Sequence, residues 1–360
     1  LLREKTIARP EPSRYLEARE NEANSMKNSR KNASPKANRV QELRAELARK
    51  IASFMGSEEN RATDIPGLAL HRRIAPTAPC SATYEPGVTV MAQGRKRVDL
   101  GRTTFIYGES RYLLTSIDLP IVSQIVEASE EAPCLAMSLK LEMPIVRELL
   151  SREEIHVAEA APDSPAMATG EVTVEFLNAC CRLMDLLETP QDIPFLSGLI
   201  QREIIYRILR GREGARLRAI ATLGDQSHRT AKAIAWIRAN YAKPLRVEHL
   251  AQIASMGVST LHHHFQALTA MSPLQYQKQL RLQVARSLML LDDRDAANAA
   301  FEVGYESTSQ FNREYSRFFG QPPMLNIKAL RLASSTSKSK GLGNISTGSF
   351  YATEARGAYS

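Results

Sequence analysis

Residues 304–323 read GYESTSQFNREYSRFFGQPP. Helical spacing places Ser309, Asn312, Arg313 and Ser316 on one side of this segment, with Gln310 near its start. These groups match the hydrogen-bonding edges of bases: Arg grips guanine bidentately, Asn and Gln grip adenine, and Ser serves either. Arg317 stands where it could meet a phosphate. Phe311, Tyr315, Phe318 and Phe319 recur at i, i+4, i+7 and i+8, which predicts a core-facing stripe. Ser307 followed three residues later by Gln310 predicts a capping box, and the paired prolines predict the stop.

The same logic recurs upstream. Residues 247–268 and 295–319 each read as helix, short turn and helix, the turns containing Gly257 and Gly304. This is the helix-turn-helix plan, whose second helix can enter a DNA major groove. In the first unit Leu261, Phe265 and Leu268 point inward, while Ser259, His262, His263 and Gln266 point outward. His264 falls near the core stripe and is assigned no base. Consecutive helical residues diverge by about 100°, so the three histidines cannot close around one ion, and no metal site is expected. Between the units, Ser272, Pro273 and Gln275 mark a capped start. The helix expected over 273–291 is about 28 Å long, suited to holding two reading helices in successive major grooves about 34 Å apart.

These elements lie in a chain of 360 residues with net charge +8. Residues 1–50 carry net +6, 51–227 net −6, 228–330 net +5 and 331–360 net +3. Basic ends around an acidic middle point to a polyanionic partner. No apolar run approaches the roughly 18 residues needed to span a bilayer, and the charged N-terminus lacks a signal-peptide core, so a cytoplasmic protein is expected. The first Met is Met26, and residues 1–25 are read as an upstream extension. Residues 1–38 read as a disordered basic tail and 331–360 as a disordered Ser/Gly/Lys-rich tail. A short amphipathic helix is expected at 40–55. Short β-rich runs over 65–142 (VTVMA, RTTFIY, RYLLTSI, LPIVSQIV, PCLAMSLKLE) predict a small antiparallel sandwich or barrel. GRKR (94–97) reads as a solvated hairpin turn and 156–170 as loop. Helices are expected at 144–154, 173–188 and 194–211, and everything from 228 onward reads as helical. The fold class is therefore α+β, divided into 40–225 and 228–330. Cys80 and Cys134 could sense oxidants if exposed with lowered pKa, although small buried thiols are the simpler reading.

VGYESTSQFNREYSRFFGQPP, with MGVSTLHHHFQALTAMSPLQYQKQLRLQVARSLML, resembles the signature of the AraC/XylS family of bacterial transcription regulators. The resemblance covers about 228–328. It implies sequence-specific promoter binding, often as an activator, with base-reading positions on Ser259, His262, His263, Ser309, Gln310, Asn312 and Arg313. Residues 65–210 resemble the cupin-like N-terminal domain of one subgroup, which implies a sensor. Expected partners are double-stranded promoter DNA, RNA polymerase, a small-molecule effector and a second copy of the chain. No cofactor and no catalytic residue is assigned. Two alternatives stand beside this reading: an N-terminal domain serving only as an interaction surface, and a cupin-type enzyme fused to a DNA-binding domain. Against the latter, residues 65–155 contain a single histidine, His71.

Overall fold

The computed structural model describes residues 35–151 and 165–339, with side chains through 332. The chain opens with helix α1 (Pro35–Met55), whose Leu43, Leu47, Ile51 and Met55 are buried. The helix expected at 40–55 thus begins five residues earlier and takes up 35–38 of the expected tail; the rest of that tail lies outside the described residues.

Among the described residues ten strands follow, all paired antiparallel: β1 (Asn60–Ala62), β2 (Leu68–Arg73), β3 (Cys80–Tyr84), β4 (Gly87–Gln93), β5 (Arg95–Leu100), β6 (Thr103–Gly108), β7 (Arg111–Thr115), β8 (Leu119–Glu127), β9 (Cys134–Lys140) and β10 (Met167–Glu171). They form a six-stranded sheet, order β1-β2-β9-β4-β7-β10, and a four-stranded sheet, order β3-β8-β5-β6. The five runs read from the sequence are strands β4, β6, β7, β8 and β9. GRKR is not a solvated turn. Only Gly94 turns, at φ +86°, and Arg95, Lys96 and Arg97 belong to β5. Val98 and Leu100, two and four residues on from Lys96, are buried. The period-2 alternation of a strand therefore carries Lys96 inside with them. Residues 167–170, expected as loop, belong to β10 because β7 supplies the pairing, Met167 opposite Thr115 through Glu171 opposite Arg111.

Helices α2 (Met143–Leu150), α3 (Val174–Asp185), α4 (Ile193–Arg210) and α5 (Gly214–Ala221) complete the N-terminal part. The outer face of the six-stranded sheet (Val88, Val90, Leu114, Met137, Leu139) packs on α1, α3 and α4 in one core.

From Gln226 onward the described residues are all helix and turn: α6 (Gln226–Ala239), α7 (Val247–Ile253), α8 (Val258–Thr269), α9 (Pro273–Leu291), α10 (Ala296–Glu302), α11 (Thr308–Phe319) and α12 (Pro323–Ser339). Helix α12 runs nine residues into the expected C-terminal tail; 340–360 lie outside the described residues. The space between the two sheets and the interior of the first helix-turn-helix unit form one continuous core, from Val98, Leu100 and Ile121 through to Leu261, Phe265 and Tyr276. A third core gathers the second unit, the far half of α9 and α12.

Candidate nucleic-acid interface

The two helix-turn-helix units are α7–α8 and α10–α11. In the first, Ser255 takes the left-handed backbone at φ +52°, and Gly257 is the N-cap of α8 at φ −70°. The turn thus bends through a serine and not through the glycine. In the second, Gly304 bends the chain at φ +87°. A Cβ there would lie 2.0 Å from the Ala242 carbonyl oxygen, so only glycine lets this turn sit against the end of the α6 segment.

Helix α11 starts on Ser307, whose hydroxyl accepts from the Gln310 backbone N–H at 3.3 Å. The Gln310 side chain does not return to the cap; its amide donates to Glu314 Oε1 at 3.3 Å, so the expected capping box is half made. Phe311 and Tyr315 are buried, whereas Phe318 and Phe319 are half-buried at the edge of the stripe. Ser309, Gln310, Asn312, Arg313 and Arg317 are all exposed, grouped on the side away from the core. On α8, Ser259, His263 and Gln266 are exposed and His262 is half-buried. His263 meets His264 edge to face at 5.3 Å.

The linker helix α9 spans 273–291 as expected, with a complete capping box between Ser272 and Gln275. It is buried on most sides. Arg281 is its keystone toward the turns: its guanidinium donates to the carbonyls of Tyr241 (2.6 Å), Gly304 (3.0 Å), Ala242 (3.1 Å) and Lys243 (3.0 Å). One side chain thereby ties the loop after α6 to the turn of the second unit. A cleft of about 300 Å³ opens beside it, lined among others by Leu274, Lys278, Glu306, Gln310 and Glu314. Tyr305 donates its hydroxyl to Glu314 at 2.9 Å, and Glu314 also accepts from Gln310 at 3.3 Å. The contacts of Arg281 and Glu314 were not legible in the sequence, since both residues fall between the exposed and buried stripes of their helices.

In the β-rich part, Lys96 is 1% exposed, with its ammonium 5.3 Å from the centre of the Tyr84 ring. Burial pushes it well below the usual lysine range, and Arg73 adds to the depression. His71 is likewise held well below its ordinary value by burial, then by Lys96 and Arg73. Its ring nitrogens engage Asn60 Oδ1 at 3.0 Å and Ser138 Oγ at 2.8 Å. Cys134 is buried and Cys80 half-buried. Burial drives the Cys134 thiol up to about 11, which suppresses the thiolate an oxidant sensor needs. Among the described residues no three His, Cys, Asp or Glu side chains gather to hold a metal ion, and no helix is long and apolar enough to cross a membrane.

Residues 64–216 match the family described as AraC-type transcriptional regulator N-terminus, and residues 250–325 match the Helix-turn-helix domain family. The chain belongs to the AraC family of transcriptional regulators. Curated relatives include the HTH-type transcriptional regulator ArgR of Pseudomonas aeruginosa, 27% identical over 129 residues. That alignment covers 36% of this chain and 39% of the relative. The HTH-type transcriptional activator RhaS of Escherichia fergusonii is 30% identical over 131 residues, 36% of this chain and 46% of that protein. The chain thus spans less than half the length of the curated relatives it matches. Among solved structures, the DNA-binding domain of AdpA in complex with a target DNA is 26% identical with a TM-score of 0.28, covering 29% of this chain and 96% of that one. Unsaturated fatty acid bound ToxT from Vibrio cholerae is 9% identical with a TM-score of 0.48, covering 72% of this AraC-family chain and 94% of ToxT.

Proposed function

We propose that the protein is a cytoplasmic, sequence-specific DNA-binding transcription regulator, an activator in the manner of the RhaS relatives, in which residues 228–330 bind promoter DNA and 40–225 modulate that binding. The observation that carries this reading is the pair of helix-turn-helix units on one linker helix, each with exposed polar residues along the outer side of its second helix. Ser309, Gln310, Asn312 and Arg313 read one major groove, Ser259, His262, His263 and Gln266 the next, and Arg317 meets phosphate. The lysines and arginines supply salt-dependent affinity common to all sequences, and the reading helices supply discrimination. Genomic SELEX followed by footprinting tests this. The expected result is a protected region spanning two consecutive major grooves. Equal affinity for every duplex would end the reading.

The effector we infer for the β-rich part is a small anion, because three basic side chains, Lys96, His71 and Arg73, act on one another electrostatically there. An anion placed there would favour the ammonium form of Lys96 that burial opposes. Calorimetric titration of the full chain with aliphatic and aromatic carboxylates checks it. Saturable binding that Lys96→Met abolishes supports the assignment, and identical binding by both proteins refutes it. The enzyme alternative has little to stand on, since both ring nitrogens of His71 are already engaged.

A further inference from the structure

Strand β3 is an outer strand of the four-stranded sheet and, among the described residues, pairs only with β8. An open edge needs a cover, and here the linker helix α9 provides it. Gln283 donates to the Ala82 carbonyl at 3.1 Å and accepts from the Thr83 hydroxyl at 2.5 Å. Arg286 donates to the Ser81 carbonyl, and Tyr276 donates its hydroxyl to the Asp118 carbonyl at 2.8 Å. Residues 276, 283 and 286 share one side of the helix. Gln283 and Arg286 are both buried.

Two further contacts lead from the β-rich part to the reading helices themselves. At the first, the Ala166 N–H donates to the carbonyl of Leu268, in the last turn of α8, at 3.0 Å. Ala270, which ends that helix at φ +57°, sits against the β5–β6 turn so closely that a Cβ on Gly101 would lie 2.7 Å from its oxygen. At the second, the Arg286 guanidinium lies 4.4 Å from the centre of the Phe319 ring, at the end of α11. Phe319 in turn packs on Tyr315 at 4.4 Å, and Tyr315 on Phe311 at 5.4 Å, along the buried side of the same helix. Both reading helices are therefore reached at their C-terminal ends, while their N-terminal, base-facing ends stay exposed.

We propose that the β-rich domain acts as a jig that sets the relative placement of the two reading helices, and that Arg286 is the positioning residue that ties the second helix to it. This rests on the DNA-binding reading above. A guanidinium suits the task because its planar fork can hold a carbonyl with one edge while its face lies on an aromatic ring. Without Arg286, α8 stays pinned through Leu268 and Ala270, whereas α11 loses its direct side-chain contact toward the β3 edge and is held to α9 by apolar packing. The two helices would then tolerate more than one separation.

The test uses the full chain and a duplex obtained by selection, with the spacing between its two half-sites changed by one base pair either way. Each step moves a half-site by about 3.4 Å and about 34° around the duplex axis. The wild type is expected to lose affinity on the order of tenfold at either altered spacing. Arg286→Ala is expected to bind the original spacing within about threefold of wild type and to lose only about threefold at the altered ones. Arg286→Lys keeps a donor and a cation over the ring and should restore much of the spacing penalty. Phe319→Leu removes the ring without touching the β-rich domain, so it reports even if Arg286→Ala fails to fold, and it should also flatten the dependence. A wild-type spacing penalty in folded Arg286→Ala or in Phe319→Leu overturns the proposal. A selection that returns no paired half-sites overturns the DNA-binding reading itself, and this inference with it.

Discussion

Replacing Gly304 by alanine isolates the close approach that sets the second helix-turn-helix unit. Two penalties combine. Alanine at φ +87° costs about 1–2 kcal/mol, because its Cβ crowds the following carbonyl. The new Cβ would also stand 2.0 Å from the Ala242 oxygen and 2.8 Å from its carbonyl carbon. Relief requires shifting backbone, and overpacking of this kind costs roughly 1–3 kcal/mol more. Moving the turn would also strain the 3.0 Å bond from Arg281 to the Gly304 carbonyl, one of the four that Arg281 makes. The total expected is about 2–5 kcal/mol. Gly320 provides the control: its φ is +78° at the end of α11, and a Cβ there meets nothing within 4 Å. Gly320→Ala should therefore show the backbone penalty alone, about 1–2 kcal/mol. Urea unfolding followed by the fluorescence of the chain's one tryptophan reads the difference. Trp236 lies in α6 and packs edge-on against His249 at 5.1 Å, inside the helical part. If the two variants unfold within about 0.5 kcal/mol of each other, the steric argument at Ala242 is wrong.

Arg313→Ala should cost about 1–3 kcal/mol and relax selectivity at one base pair, whereas Arg317→Ala should weaken all sequences evenly and lower the salt slope by about one; competition binding over a salt series separates the two. Lys96→Met should stabilise the protein at neutral pH by roughly 1–3 kcal/mol, since a buried basic group is exchanged for an apolar chain of similar length. The folded pKa of Lys96 is depressed, so wild-type stability is full only above the unfolded value of about 10.4 and falls as pH drops toward the folded value. Lys96→Met should flatten that slope, and denaturation curves between pH 7 and pH 10 that stay parallel would contradict the assignment. Of the four cysteines, half-buried Cys80 should alkylate first in the native protein at pH 8, with Cys134, Cys180 and Cys181 protected by burial; mass spectrometry after a short iodoacetamide pulse would show otherwise if Cys134 reacts equally fast.

The linker helix was legible at both ends because its signals are local: Ser272, Pro273 and Gln275 specify the start within four residues. The same holds for the buried pair Phe311 and Tyr315 on α11, where helical period and burial coincide. Strand β5 was hidden for the opposite reason. Three consecutive cations look like solvent-facing turn chemistry, and only the neighbouring strands β6 and β8 make Lys96 an interior residue. Strand β10 was equally opaque, since MATGE shows little alternation and β7 imposes the pairing from some fifty residues away. The docking of α9 against β3 left no trace in the pattern either. Gln283 and Arg286 are polar at positions where periodicity allows exposure, and their partners are backbone carbonyls, which carry no residue-type signal. At the candidate interface, the exposure of Ser309, Gln310, Asn312 and Arg313 was legible because it follows from helical phase. The contacts of Arg281 and Glu314 were not, because they depend on which loop happens to be in reach.

Composition divides this chain near residue 226, but its apolar interior does not. The oily layer between the two sheets continues past that point into the first helix-turn-helix unit and the linker helix, joining Ile121 and Leu119 to Leu261, Phe265 and Tyr276. A gene cut at the compositional seam would slice through a shared interior and leave a greasy face on each fragment. Grafting this reader onto a foreign sensor would demand a matching face there.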